Sequence, residues 1–104
     1  MTSSSPRLSH QTLKVLRAFM NEPTRGLSGS ELIRETGILS GTLYPILARL
    51  ELADWLESEW EDIDPKTAGR PRRRYYKLKA LGYNSARDAL EELAPPTGEL
   101  AWKF

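Results

Sequence analysis

Residues 40–78 read SGTLYPILARLELADWLESEWEDIDPKTAGRPRRRYYKL. Small residues open into an apolar stripe, then an acidic strand, a polar loop and an arginine-dense second strand. From Gly41 to about Ala53 a helix is predicted, with Leu43, Ile46, Leu47 and Leu50 on one face. Gly41, Pro45, Ala48 and Arg49 fall on the opposite face, flanked by Thr42 and Tyr44. An ordinary solvent face carries several Lys and Glu. This one is small and nearly uncharged, which suits close entry into a groove. Ser40 is placed to cap the helix. Pro45 lies one turn in, where it removes a helical hydrogen bond; the cost is about 3 kcal/mol in a helix interior and less near the first turn. It either shapes the helix start or makes a contact.

Trp55–Glu61 and Arg72–Lys79 alternate as strands do, with Leu56, Ser58 and Trp60 on one side and Tyr76 and Leu78 in a second period-two run. Asp62–Pro71 is the turn between them, punctuated by Asp64-Pro65 and Gly69. The net charge of +1 hides an asymmetry: Glu51–Asp64 holds seven acids and no base, and Pro65–Lys79 holds seven bases and no acid. Cross-strand pairing of Glu57 and Glu59 with Arg74 or Lys77 accounts for part of this. It does not absorb the arginines near the turn, where a phosphate would meet a locally positive field.

Working outward, residues 1–7 form a Ser-rich flexible tail. Ser9 caps a helix running to about Asn21, with Leu13, Leu16 and Met20 recurring and Val15 and Phe19 widening the stripe. Ser28 and Glu31 make a capping-box pattern for a short helix to Thr36 that carries Leu32 and Ile33 inward. Gly37 supplies its left-handed end. A last helix spans about Ala80–Leu93. The order is α-α-α-β-β-α, mainly helical with a small β-hairpin: a winged helix-turn-helix. Residues 8–79 are the winged domain, and residues 80–104 a dimerisation helix and tail. Tyr83, Ala86, Leu90 and Leu93, with Trp102, are the expected homodimer seam; packing on the chain's own core is the competing use of such a short stripe.

The chain resembles the PadR family of transcriptional regulators at Gly41-Thr42-Leu43-Tyr44-Pro45-Ile46-Leu47-Ala48-Arg49-Leu50-Glu51 and at Gly69-Arg70-Pro71-Arg72-Arg73-Arg74-Tyr75-Tyr76-Lys77-Leu78. Leu56-Glu57-Ser58-Glu59-Trp60-Glu61 sits between them at the family's spacing. The resemblance covers about residues 39–82. It implies a winged-helix dimer, usually a repressor of palindromic operators, with Gly41–Leu50 as recognition helix and Gly69–Arg73 at the wing tip. Some relatives release DNA when a small aromatic compound binds near the dimer interface. Three departures stand out. Asp54 replaces a common glycine after the recognition helix, Lys79 replaces the usual Thr before the last helix, and that helix is short.

Double-stranded DNA is therefore the expected partner. Ser40 and the first amides of its helix would clamp a phosphate. Thr42, Tyr44 and Pro45 would face base edges or sugars; the alternative for Tyr44 is a core-flanking residue anchored by its hydroxyl. Arg49 suits a phosphate or a surface ion pair. Gly69-Arg70-Pro71 matches short extended segments that enter narrow A·T minor grooves, with Lys66, Arg72 and Arg73 beside it. Two-fold symmetry would set two recognition helices about 34–36 Å apart.

Length and composition permit one domain. The absence of cysteine excludes disulfides, thiolate metal sites and thiol catalysis. No apolar run approaches a membrane span or a signal-peptide core, so a cytoplasmic, nucleoid-associated protein is expected. His10 is the only histidine, and the strand acids alternate in direction, so neither an enzyme nor a cofactor site is expected. Trp55 and Trp60 are candidates for stacking on an aromatic effector, or plain packing. Two other readings remain: a small architectural or recombination-directionality factor, and a winged helix used only for protein interaction.

Overall fold

Ser9 opens the first helix as its sequence position suggests: its hydroxyl accepts the Thr12 amide at 3.2 Å and starts α1, His10–Asn21. The computed structural model describes residues 8–93 together with Pro6. In α1 the inward stripe centres on Val15, Leu16 and Phe19, with Leu13 and Met20 packed at its margins. A two-residue strand, β1 (Leu27–Ser28), follows the turn at Pro23. Ser28 then caps α2, Gly29–Thr36: its hydroxyl accepts the Glu31 amide at 3.2 Å, and the Glu31 carboxylate accepts the Ser28 amide at 2.9 Å. Gly37 ends the helix in left-handed geometry at φ 75°.

Helix α3 spans Ser40–Leu52 and buries Leu43, Ile46, Leu47 and Leu50, the four residues its periodicity selects. Its cap differs from expectation. Leu39 holds the capping position without a side-chain bond, and Ser40 is the first helical residue. The Leu39 carbonyl accepts from both Thr42 and Leu43, so backbone alone starts the helix. The turn after α3 is a Schellman closure: Trp55 N–H donates to Leu50 O at 2.9 Å and Asp54 N–H to Glu51 O at 3.0 Å. Asp54 takes the left-handed position at φ 69°.

Strands β2 (Leu56–Trp60) and β3 (Arg74–Leu78) pair antiparallel, and β1 adds to the far edge of β3 in the order β1-β3-β2. The register sets Leu56 against Leu78, Ser58 against Tyr76 and Trp60 against Arg74, so these six line the inner face. On the outer face Glu57 lies opposite Lys77, as charge suggested, whereas Glu59 lies opposite Tyr75. The connecting turn contains a short helix, α4 (Pro65–Ala68), where only a loop was expected. Asp64 caps it, accepting Lys66 N–H and the Thr67 hydroxyl at 3.1 Å each.

The last helix, α5 (Ala80–Leu93), packs on α1 and on β3. It comes close to the turn after α3 at Gly82, where a β-carbon would fall 2.1 Å from the Trp55 carbonyl oxygen. Ala86 is fully buried in the same core as Phe19 and Leu47, which corrects its assignment to a dimer seam. A methyl group that small belongs where two helices nearly touch. Among the described residues no helix is long and apolar enough to cross a membrane.

Candidate nucleic-acid interface

One face of α3 is exposed from end to end: Ser40, Gly41, Thr42, Tyr44, Pro45, Ala48, Arg49 and Leu52. Arg49 is its only cation, and Leu52 is 87% exposed. A bare leucine and a proline on an open helix face gain nothing from water, so the face suits a surface it can press against. Proline at position 45 has no N–H to donate to the Gly41 carbonyl, four residues back in the helix. Both residues are exposed, so that carbonyl is left toward solvent rather than in the core.

Tyr44 flanks the core by packing, with no hydrogen bond from its hydroxyl among the described residues. Its ring crosses the start of α2, close enough that a β-carbon on Gly29 would lie 2.0 Å from the hydroxyl oxygen. It nevertheless stays 46% exposed. Gly29 therefore leaves room for the tyrosine to brace α3 against α2 while presenting its outer edge.

The wing holds itself together through Glu61. Arg70 donates both Nη1 and Nη2 to the Glu61 carboxylate at 2.8 Å, and the Arg73 amide donates to the same carboxylate at 3.1 Å. These bonds, the Arg70 fork first, hold the Glu61 carboxyl at about 2, well below its usual 4.5. Arg72 donates Nε to the Ile63 carbonyl at 2.9 Å and remains exposed. Lys66 and Arg73 are exposed, with no side-chain partner among the described residues. Around the wing tip Arg70 is thus a structural guanidinium, and Lys66, Arg72 and Arg73 face outward.

Between wing and helix lies a cleft of about 380 Å³, walled by Tyr44, Trp60, Tyr76 and Arg72–Arg74. Trp60 is 60% exposed in it. Sequence alone assigned no DNA-facing role to Trp60, Arg74 or Glu51. Period-two register would have found the first two, since it puts Trp60 opposite Arg74 on the face toward α3.

The family model described as "Transcriptional regulator PadR-like family" matches residues 15–88, from within α1 to within α5. The chain belongs to the PadR-like family. It is accordingly one of a family of transcription regulators, not of enzymes. No curated protein sequence matches this PadR-like chain. Among solved structures, AbfR of Staphylococcus epidermidis is similar over 86% of this chain and 57% of its own, at 20% identity and a TM-score of 0.68. The chain thus spans little more than half of AbfR's length. A PadR-like transcription factor from Bacteroides fragilis is 27% identical over 88% of this chain and 80% of its own, with a TM-score of 0.58. Reduced AbfR bound to DNA is 19% identical over 92% of this chain and 67% of its own, with a TM-score of 0.63; that likeness is one of fold.

Of the residues expected at a PadR-like dimer seam, Tyr83 is exposed beneath the Arg87 guanidinium at 5.9 Å, and Leu90 is half-buried. The Leu93 side chain and Trp102 lie outside the described residues. Trp55 is buried in the core, which removes it as a stacking surface.

Proposed function

We propose that this chain is a DNA-binding regulator, a homodimeric repressor that reads a palindromic operator with α3 in the major groove and residues 62–73 at the adjoining minor groove or backbone. The observation that carries this reading is the pairing of a lean outer face on α3, whose single charge is Arg49, with a wing that turns Lys66, Arg72 and Arg73 outward beside it. Base edges tolerate close apolar contact, and phosphates attract the flanking cations. Ser40 and Gly41 open the helix, and their amides, unlike that of Thr42, are not taken by the Leu39 carbonyl and can meet a phosphate. Arg70 shapes the wing from its pair with Glu61 rather than meeting DNA. A fold shared with DNA-bound AbfR supports DNA binding.

Tyr83 and Leu90 on α5, with residues beyond Leu93, form the homodimer contact in this proposal. A small aromatic effector would be left Trp60 alone of the two described tryptophans. The test is selection of random duplexes on the purified protein, with sequencing of the bound pool at moderate salt. An inverted repeat with half-sites about one helical turn apart is expected. Tandem sites would favour an architectural factor, and no enrichment would contradict sequence-specific repression.

A further inference from the structure

Arg72, Arg73 and Arg74 are consecutive, but the fold divides them. Arg74 turns inward. Its Nε donates to Ser58 Oγ at 2.9 Å, and its Nη2 reaches the two Glu51 carboxylate oxygens at 3.3 and 3.4 Å. Ser58 Oγ in turn donates to Glu51 Oε2 at 2.7 Å. The rings of Trp60 and Tyr76 lie 5.6 and 5.5 Å from the guanidinium carbon. Glu51 is in the last turn of α3, Ser58 and Trp60 are on β2, and Arg74 and Tyr76 are on β3. One cation therefore joins the end of the groove-facing helix to both strands of the hairpin, hydrogen-bonded through its N–H groups and set over two aromatic rings.

We propose that Glu51, Ser58 and Arg74 form a latch that fixes the angle between α3 and the wing, making an acidic residue a requirement for DNA binding. The inference rests on the DNA-binding reading above. Two elements that must touch one duplex together bind best when their spacing is set beforehand, because a hairpin that rocks must be ordered at the moment of binding. Arg74 is thus a positioning residue, while Arg72 and Arg73 on the same strand approach are left for phosphates. Trp60, held by the Arg74 cation, forms the wing-side wall of the cleft in the same fixed orientation.

Simple electrostatics and the latch give opposite answers for Glu51→Gln. The substitution keeps the shape, keeps an acceptor for Ser58, and removes a negative charge near DNA. Charge alone would tighten binding. The latch requires binding of the selected duplex to weaken, roughly 2- to 30-fold as for mutations along a coupled network. It also requires a shallower dependence on salt, by about 0.9 for each phosphate that Arg72 and Arg73 no longer neutralise. Arg74→Lys keeps the charge but not the fork and is expected to behave the same way; a direct phosphate contact by residue 74 would leave its slope unchanged. The double variant should be little worse than either single one. Thermal melts establish that each variant is folded, and Arg74→Lys decides should Glu51→Gln lose its cooperative melt. Binding by Glu51→Gln as tight as wild type or tighter, at the same slope, overturns the latch. Absence of any preferred duplex for the wild type overturns the sequence-specific DNA-binding reading on which the latch rests, and shows before a variant is made.

Discussion

Asp54 and Lys79 lie 25 residues apart in sequence, and the Lys79 ammonium donates to the Asp54 carboxylate at 2.5 Å. They are two of the positions read from the sequence as departures from the pattern that the PadR resemblance implies. Asp54 sits in left-handed geometry, and Lys79 leads into α5, its amide bonded to the Trp55 carbonyl at 2.9 Å. The pair ties the turn after α3 to the start of α5, so each departure answers the other.

Asp54→Gly should relieve the left-handed backbone by about 1 kcal/mol, the order of cost for a non-glycine residue there. It also deletes the ion pair. Asp54→Asn keeps the tolerance for that geometry and removes only the charge. Thermal melts at low and high salt separate the two, with the glycine variant gaining on wild type as salt rises. The pair also raises the Lys79 ammonium above its usual 10.5, chiefly through the bond to Asp54. A raised base contributes its stability in full below 10.5 and loses it as pH climbs through the higher folded value. Asp54→Asn should therefore converge on wild type only in strong alkali, where Asp54→Gly should stand above both by its backbone relief.

Gly29→Ala drives a methyl group into the Tyr44 hydroxyl, but that hydroxyl is the outer end of a half-exposed side chain. The ring should swing away rather than the helices part. Melting should change by less than about 1 kcal/mol, since alanine gains helix propensity. DNA affinity should fall with the displaced tyrosine, and Tyr44→Ala should then add little to the loss. A large drop in stability with intact binding would contradict this placement.

Arg70 and Arg73 should part company in salt titrations. Losing Arg73 lowers the slope of affinity against salt by about 0.9, while Arg70→Ala affects the wing's order first. Glu61 makes the second half of the test. Its carboxyl is depressed to about 2 from 4.5, so its contribution is complete above 4.5 and lost only as pH falls toward 2. The Arg70 side-chain NMR signals should stay in their bonded positions at pH 5 and change only across that lower window. Release of Arg70 above 4.5 would contradict the pairing.

Ala86→Leu should destabilise the folded chain by about 1–3 kcal/mol, because extra methylenes must enter the packed seam of α5 and α1. That loss should not depend on protein concentration. Tyr83→Ala should instead shift a dimer equilibrium and show its effect on dilution. A concentration-dependent melt for the Ala86 variant would return that residue to the subunit interface.

Much of this molecule is written in local chemistry. Ser9, Ser28, Glu31 and Gly37 mark helix ends through bonds within a few residues, and Leu43 to Leu50 mark a face through periodicity alone. What stayed hidden was set by distant partners. β1 is two residues long and exists only because β3 offers it an edge. Ser40 is not the cap because the chain enters α3 with Leu39 extended and the backbone bonds already made. Ala86 and Leu90 share a stripe, yet only contact with α1 shows which of them is inside. The arginine run looked uniform as letters, and Glu61 and Glu51 divided it into braces and contacts.

The most direct test of simultaneous contact by helix and wing uses the chain's lack of cysteine. Thr42→Cys and Arg72→Cys, each carrying an iron chelate that cleaves nearby sugars, are bound in turn to the selected duplex. The account predicts cuts from position 42 flanking a major groove within each half-site, and cuts from position 72 across the neighbouring minor groove, both repeated about the dyad. Cuts from only one of the two positions, or from both at one point on the backbone, would contradict it.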